Sequence, residues 1–519
     1  MAGTSPLKIC VATAEFAPLA KTGGLADVCA SLATCLHRRG HDVRVLLPFY
    51  STIDTHLLRV APLPGLQDLE TRLGTRRLRY SIDAARLPGN GLPVHLLRCP
   101  EFYDRPGIYT EDSDEHLRFA LLSQAALAMC QHTHFAPDIV HCHDWHAALL
   151  PLYLKTVYAW DRLFAHTRSC LTLHNVGYQG IFPAASLPEL GLAGAERELP
   201  GEDLARGQVN FLKAGVLHAD LLTTVSPGYA REIRMPQYGM GLEELLRARS
   251  GSLVGILNGI DYREWNPETD PLIPCTYSRH RPGGKQSCKL RLLAELGLAE
   301  EPATPLVGMV SRLVSQKGIE LVQQAIPPLL GERRFAMAVL GSGEPAYESF
   351  FAELERAFPG RVAFRRGYDN ALAHRIEAGS DMFLMPSLYE PCGLNQMYSL
   401  RYGTVPVVRM TGGLADSVSH FDAASGRGDG IVFRDYDANG LRWALETALA
   451  LYADRRRWRR AMQNGMRKDF SLERQCRSYE ERFVGLAASA RRIAPPAPPA
   501  DRPPSGSSSS AGGSTPSSP

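Results

Sequence analysis

One string of six residues, TGGLAD, stands at residues 22–27 and again, unchanged, at 411–416. Each copy follows an apolar run with strand character and precedes a helical one. Ahead of the first lies LKICVATAEF (7–16); after it come a helix over 25–38, a stop at Gly40 and a second strand over 41–47. Ahead of the second lies the strand 405–410. Strand, glycine turn and helix make up the βαβ unit of nucleotide-binding folds. A copy in each half of the chain predicts an α/β protein of two doubly wound, Rossmann-like domains that face each other across a cleft. Neither copy is a G-x-G-x-x-G or a P-loop, because the lysine, Lys21, precedes the glycines. Lys21 is read either as an ordinary loop lysine or as a cation reaching an anion held at Gly23 and Gly24.

The densest stretch surrounds the second copy, at residues 381–418 (DMFLMPSLYEPCGLNQMYSLRYGTVPVVRMTGGLADSV). Residues 382–385 form a buried strand ended by Pro386. Glu390, Pro391, Cys392 and Gly393 fall at its carboxyl end, and a helix follows over 394–402. The next strand ends in Thr411, Gly412 and Gly413. Ligands of open α/β sheets bind outside the carboxyl ends of strands. Gly412 and Gly413 let the backbone approach an anion, and a helix start offers unpaired N–H groups. Glu390 can accept hydrogen bonds from sugar hydroxyls or balance positive charge at a reacting carbon. Taken singly, an acidic turn and a glycine helix start are ordinary structure; together they mark a site for a sugar joined to phosphate.

The rest of the second half repeats the alternation. A strand at 306–310 runs into SRLVSQKG, placing Arg312 and Lys317 in one strand-end loop expected to lie over the Gly412 turn. Two cations beside a glycine turn suit a departing diphosphate, the arginine as a bidentate grip and the lysine as a point charge. Tyr368, after the strand 362–365, is read either as a ring for stacking a base or as a packing residue. In the first half, a strand over 137–141 enters HCHDWH (141–146). The histidines invite a metal reading, but the run is a strand end passing into a helix with no second ligand cluster, so no metal is expected. Asp144 or a neighbouring histidine is expected to bind a polar substrate. His174 and Asn175 end the strand 169–173, and the aromatic loop 98–109, with Tyr109, reads as a carbohydrate-facing edge.

The 519 residues allow two or three domains. The expected division is a first domain over 1–257, a linker region rich in proline, tyrosine and charge over 258–285, and a second domain over 286–470. A terminal helix over 471–490 and a disordered Pro/Ser-rich tail over 491–519 complete it. Lys plus Arg number 57 against 54 Asp plus Glu, which gives no electrostatic case for nucleic acid or an anionic membrane. The 11 cysteines contain no C-x-x-C pair, so reduced core thiols are expected. With no signal-peptide core and no apolar span, the cytoplasm is the expected location.

KTGGLADV, HDWH, LHN, VSRLVSQKG, EPCGL and TGGLADSV stand here in one order. In that order and at that spacing the chain, over residues 8–486, resembles the bacterial glycogen synthases and plant starch synthases, retaining glycosyltransferases of the two-domain GT-B fold. The resemblance implies a donor, ADP-glucose, an acceptor at the non-reducing end of an α-1,4-glucan, and no catalytic metal or other cofactor. It implies that Lys21, Gly23 and Gly24 meet the nucleotide sugar from the first domain. Arg312 and Lys317 would hold its phosphates with Thr411, Gly412 and Gly413, and Tyr368 would stack near the adenine. Glu390 and the backbone of Cys392, Gly393 and Leu394 would bind the glucosyl hydroxyls. His174 would flank the reacting sugar, with Asp144 and Tyr109 toward sugar or acceptor. Related GT-B enzymes carry a second glutamate eight positions after the first; here Tyr398 stands there, as in the glycogen synthase branch. Two other readings stay open: a GT-B enzyme using UDP-glucose or another acceptor, and a catalytically silent glucan binder.

Overall fold

The computed structural model describes residues 5–493 apart from Thr75. The tail expected to be disordered falls, from residue 494 onward, outside the described residues. Two sheets organise the rest. In the first, parallel strands run in the spatial order Leu253–Gly255, Leu221–Thr224, Arg168–Leu173, Ile139–His143, Lys8–Ala12, Asp42–Pro48 and Pro93–Arg98. Antiparallel strands extend its far edge: Arg76–Arg86 pairs with Pro93–Arg98, and Ala61–Pro62 and Leu69–Leu73 pair with Arg76–Arg86. This antiparallel edge was not read from the sequence. The second sheet is wholly parallel, in the order Val362–Arg366, Ala336–Gly341, Leu306–Val310, Met382–Met385, Val405–Arg409 and Ile431–Phe433.

Central strands of such sheets carry helices on both faces, so they must be apolar on both sides. Ala336–Gly341 and Met382–Met385 meet that demand with every residue buried. The covering helices need only one apolar face. In Gly24–Arg38 it is made by Leu25, Val28, Cys29, Leu32 and Leu36, and the helix ends where Gly40 turns to φ 94°.

Both sheets fill outward from their first strand. In the second, the chain adds two strands on one side of Leu306–Val310 and then jumps to the other side at Met382–Met385. In the first, the same jump separates Lys8–Ala12 from Ile139–His143. A crevice opens where neighbouring strands send their connections in opposite directions. The four loops at these two switch points are those that begin at Thr13, Asp144, Ser311 and Pro386.

The chain crosses between the sheets twice. The first crossing leaves Leu253–Gly255 and reaches the helix Gly283–Leu296. On the second, helix Leu472–Ile493 returns to the first sheet, longer than the sequence suggested. There Glu480 pairs with Arg39 at 2.6 Å and with His41 at 3.0 Å, and Arg491 pairs with Asp138 at 2.8 Å. The two crossings run together, since Ile260 donates its N–H to the Phe470 carbonyl at 2.8 Å. Trp265, on the first, is sandwiched between His374 and Tyr398, with ring centres 3.7 and 3.8 Å away. The position of the relatives' second glutamate thus holds a packing ring.

Candidate active site

The loop that carries Arg312 and Lys317 is zipped to the loop after Met382–Met385. Leu388 donates its N–H to the Gln316 carbonyl at 2.9 Å, and Gln316 Nε2 donates to the Tyr389 carbonyl at 3.2 Å. This pairing delivers the Lys317 ammonium to Glu390, Nζ to Oε2 2.6 Å, with the Ser387 hydroxyl donating to the same oxygen at 2.9 Å. Both side chains are largely enclosed, at 17% and 7% exposure. Arg312 is exposed and, among the described residues, makes no ion pair or side-chain hydrogen bond. It stands close enough to Tyr389 for its charge to act on that phenol.

Beyond Glu390 the chain turns through Gly393 and starts the helix Asn395–Tyr402. Among the described residues, neither Gly393 nor Leu394 donates its N–H to any group. Those amides at a helix start form an anion seat. Gly24 faces them from the first domain: a Cβ placed there would sit 3.8 Å from Leu394 Cδ1. The first glycine turn and the Glu390 loop therefore oppose each other across the crevice. Burial pushes the Cys392 thiol up to about 12, so this residue offers backbone rather than a thiolate.

On the first-domain wall, Glu15 organises the turn. Its carboxylate accepts from the Thr22 N–H and hydroxyl, each at 2.7 Å, and from the Gly23 N–H at 3.1 Å. The Tyr109 hydroxyl donates to it at 2.6 Å, and the Tyr109 ring stacks on His146 with centres 4.8 Å apart. Gly23 thus serves an internal carboxylate, and Gly24 is the residue that meets the opposite wall. Lys21 pairs with Asp27 at 2.8 Å. Burial alone would lower its pKa, but the attraction and hydrogen bond of Asp27 hold it above the ordinary lysine value, with Tyr368 and Glu264 adding to the pull. Tyr368 is 67% exposed, its hydroxyl tied to Asn370 at 2.8 Å and its ring face open.

Asp144 has φ 52° and ψ −169°, a region nearly reserved for glycine. Strain of this kind persists where the surroundings over-determine it, and here they do. Its Oδ1 accepts the His174 N–H at 2.6 Å and the Asn175 N–H at 3.4 Å. Burial outweighs these bonds and lifts the carboxyl to about 7. His174 Nε2 lies 3.0 Å from His143 Nδ1, and burial lowers His174 to about 3 and holds His143 well below the ordinary histidine value, so the pair is neutral at working pH. Cys29 Sγ joins them, the three ligand atoms lying within 4.8 Å of one another. Of the run 141–146 weighed in the sequence, this cluster contains only His143; Cys29 and His174 come from elsewhere in the chain. Burial keeps the Cys29 thiol protonated, and Thr13 Oγ1 lies 3.5 Å from the sulfur.

One expectation needs correction. Thr411, Gly412 and Gly413 do not offer free groups to a phosphate. They are buried behind the Glu390 loop, and Glu232 of the first domain takes the Thr411 hydroxyl at 3.0 Å and the Gly412 N–H at 2.7 Å. Gly413 donates its N–H to the Glu390 carbonyl at 3.0 Å. Gly412 has φ 43°, and a Cβ there would lie 2.0 Å from the Glu390 carbonyl oxygen, so only glycine fits. The Arg312 loop accordingly lies over Glu390 rather than over this turn. The sequence reading also passed over Glu15, Cys29 and Glu232, and over Asn258, whose backbone reaches the Cys392 sulfur. Glu15 had a signal, an acid at the carboxyl end of the first strand; Glu232 had none.

Comparison with known proteins bears on this geometry. A family model described as the starch synthase catalytic domain matches residues 8–248, and one described as glycosyl transferases group 1 matches 297–465. A glycogen synthase from an Anaeromyxobacter species is 46% identical over 486 residues, 93% of this chain and all of that protein. Glycogen synthase 1 of Geobacter sulfurreducens is 44% identical over 92% of this chain and 96% of its own length. The chain belongs to the glycogen synthase and starch synthase family. It is a glycosyltransferase of GT-B fold. The catalytic domain of starch synthase IV from Arabidopsis thaliana, solved with ADP and acarbose, superposes with a TM-score of 0.86 at 36% identity, covering 93% of this chain and all of that one. A sucrose-phosphate synthase from Thermosynechococcus elongatus, at 17% identity and TM-score 0.58, shares the fold. Among the described residues no helix is long and apolar enough to cross a membrane.

Proposed function

We propose that this glycosyltransferase moves glucose from ADP-glucose to the 4-hydroxyl at the non-reducing end of an α-1,4-glucan, with retention of configuration and without a metal. The observation that carries the reading is the Lys317–Glu390 pair at the second switch point, set beside the unpaired Gly393 and Leu394 amides and opposite Gly24. One seat takes the diphosphate and the adjoining carboxylate takes sugar hydroxyls. The starch synthase with ADP and acarbose supports the donor and acceptor chosen.

The residues divide the work as follows. Arg312 and Lys317 neutralise charge on the departing diphosphate, and Tyr368 offers its open face to the base. The carboxylates of the crevice are already engaged: Glu390 by Lys317 and Ser387, Glu15 by Thr22 and Tyr109, Asp144 by two backbone amides. A retaining enzyme that used a nucleophile would need a free carboxylate close to the reacting carbon. A same-face route fits these groups better. The bond from sugar C1 to the phosphate oxygen breaks, the acceptor O4 bonds to C1 on the face just vacated, and the O4 proton passes to the departing phosphate. The neutral His174 and the Glu390 carboxylate steady the positively charged sugar in between. Enclosure between two domains excludes water, which would otherwise hydrolyse the donor.

The test is incorporation of labelled glucose into glycogen from ADP-glucose and from UDP-glucose, each with EDTA. Transfer from ADP-glucose with chelator present is expected. A preference for UDP-glucose overturns the donor, and glycogen binding without transfer from either donor overturns the activity.

A further inference from the structure

Each TGGLAD copy presents its threonine hydroxyl and the next glycine N–H to a carboxylate, but the carboxylates come from different places. At the first copy, Glu15 of the same domain accepts from the Thr22 hydroxyl and N–H and from Gly23. At the second, the acceptor is Glu232, at the end of the helix Pro227–Glu232 in the first domain. It takes the Thr411 hydroxyl at 3.0 and 3.2 Å and the Gly412 N–H at 2.7 Å. The first turn is completed by its own domain. The second is complete only while the two domains are docked.

What lies behind that second turn gives the contact its consequence. Gly412 sits against the Glu390 carbonyl, Gly413 donates to that carbonyl at 3.0 Å, and a Cβ on Gly413 would lie 2.2 Å from the Cys392 carbonyl oxygen. No space remains for the turn to shift without moving Glu390, whose carbonyl it holds. The same helix grips the neighbourhood at further points. The Ser226 hydroxyl donates to the Pro391 carbonyl at 2.6 Å, the Gly228 N–H donates to Asp416, and Arg231 pairs with Asp416 at 3.4 Å. A Cβ on Gly228 would lie 2.4 Å from the Gly412 carbonyl oxygen, so backbone meets backbone there.

We propose that Glu232 is a positioning residue for glucosyl transfer: its carboxylate completes the Thr411–Gly412 turn from the opposite domain and thereby sets Glu390 in place only when the domains are docked. The inference rests on the functional reading of Glu390 given above. Glu232 touches neither sugar nor phosphate in this scheme and acts through Gly412 and Gly413. Its loss should therefore fall on turnover, while Arg312 and the Gly393 and Leu394 amides still seat the nucleotide.

Steady-state transfer to glycogen from ADP-glucose, run on the full chain, tests this with Glu232→Ala, Glu232→Gln, Thr411→Val and the double variant Glu232→Ala/Thr411→Val. In Glu232→Ala, kcat is expected to fall about tenfold or more with donor KM within about threefold, because the hydrogen bonds to a charged acceptor are lost. ADP-binding stoichiometry by calorimetry should stay at the wild-type value, so the loss is not a smaller folded fraction. Glu232→Gln keeps an acceptor oxygen of the same shape and should recover most of the turnover. The double variant should be little worse than Glu232→Ala alone, since both changes remove one interaction. A kcat for Glu232→Ala within twofold of wild type, fully additive losses, or a glutamine variant as slow as the alanine one would each overturn the proposal. If Glu232→Ala does not fold, Thr411→Val carries the test alone: about a fivefold loss of kcat supports it and no loss overturns it. Failure of the functional reading would show in the wild type, as no transfer from ADP-glucose, whereas failure of this inference shows only in the variants.

Discussion

Removing the Lys317 ammonium is the sharpest perturbation of the candidate site. In Lys317→Ala the Glu390 carboxylate, 7% exposed beside the lysine, keeps only the Ser387 hydroxyl at 2.9 Å on the oxygen that held the lysine at 2.6 Å. Deleting one partner of a buried pair costs about 3–5 kcal/mol, mostly through the charge left behind. Lys317 is 17% exposed, so water relieves some of that cost and the lower end, about 3 kcal/mol, is the better figure. If the misplaced carboxylate carries that into the transition state, turnover falls about a hundredfold. Losing a cation from the departing diphosphate adds a further factor of about ten or more. The expected result is kcat down about a thousandfold with ADP-glucose and glycogen. A stability loss of about 3 kcal/mol at most corresponds to roughly 6–12 °C in melting temperature for a domain of this size. Initial rates across donor concentration and a thermal melt of the same preparation give both numbers. A kcat within tenfold of wild type would refute the assignment. So would a melting shift of the stated size with turnover intact, because the pair would then be structural.

Other consequences follow from single residues. Tyr368→Ala should raise donor KM by about five- to fiftyfold with kcat nearly unchanged, as loss of one base–aromatic stack costs about 1–3 kcal/mol; an unchanged KM would make the exposed ring idle. His141 and His174 are lowered to about 3, and His143 and His146 also lie well below the ordinary range, all through burial. Between about pH 6.5 and 3 the unfolded chain therefore binds more protons at these four sites than the folded one, and stability falls as pH drops through that window. Asp144, raised to about 7, works in the opposite sense, losing stability as pH rises from about 4 to 7. Melting curves from pH 8 to 4 should thus decline toward acid, and Asp144→Asn should steepen the decline; a flat profile contradicts the burial of the histidines. Chelator should leave transfer unchanged, whereas a loss restored by a divalent ion would place a metal at Cys29, His143 and His174.

Much of the fold was legible because its signals are local. Buried strands such as Met382–Met385 announce themselves as short apolar runs, and the glycine turns mark their carboxyl ends. The loops holding Arg312, Lys317 and Glu390 were therefore found by position alone. The antiparallel edge around Arg76–Arg86 was missed because its alternating, charged pattern belongs to a sheet margin with one wet face. The return of helix Leu472–Ile493 to the first domain was missed for another reason. Its amphipathic pattern says that one face is covered, but not by which sheet, and the answer lies with partners such as Arg39, His41 and Thr223.

The second TGGLAD copy shows where local reading stops. The same six residues fold alike in both places, a strand end turning into a helix, yet their exposure and partners differ. At Gly24 the turn opens onto the crevice and meets Leu394; at Gly412 it is buried under the Glu390 carbonyl. The difference is not in the motif but in what each turn packs against. Glu15 lies seven residues before Thr22, within reach of a sequence argument; Glu232 lies 180 residues before Gly412 and arrives only through domain docking. An open turn and a buried one read identically in the chain, so a phosphate seat could be assigned to both copies of the string. The separation of their roles belongs to the tertiary structure, and the Glu232 variants measure it directly.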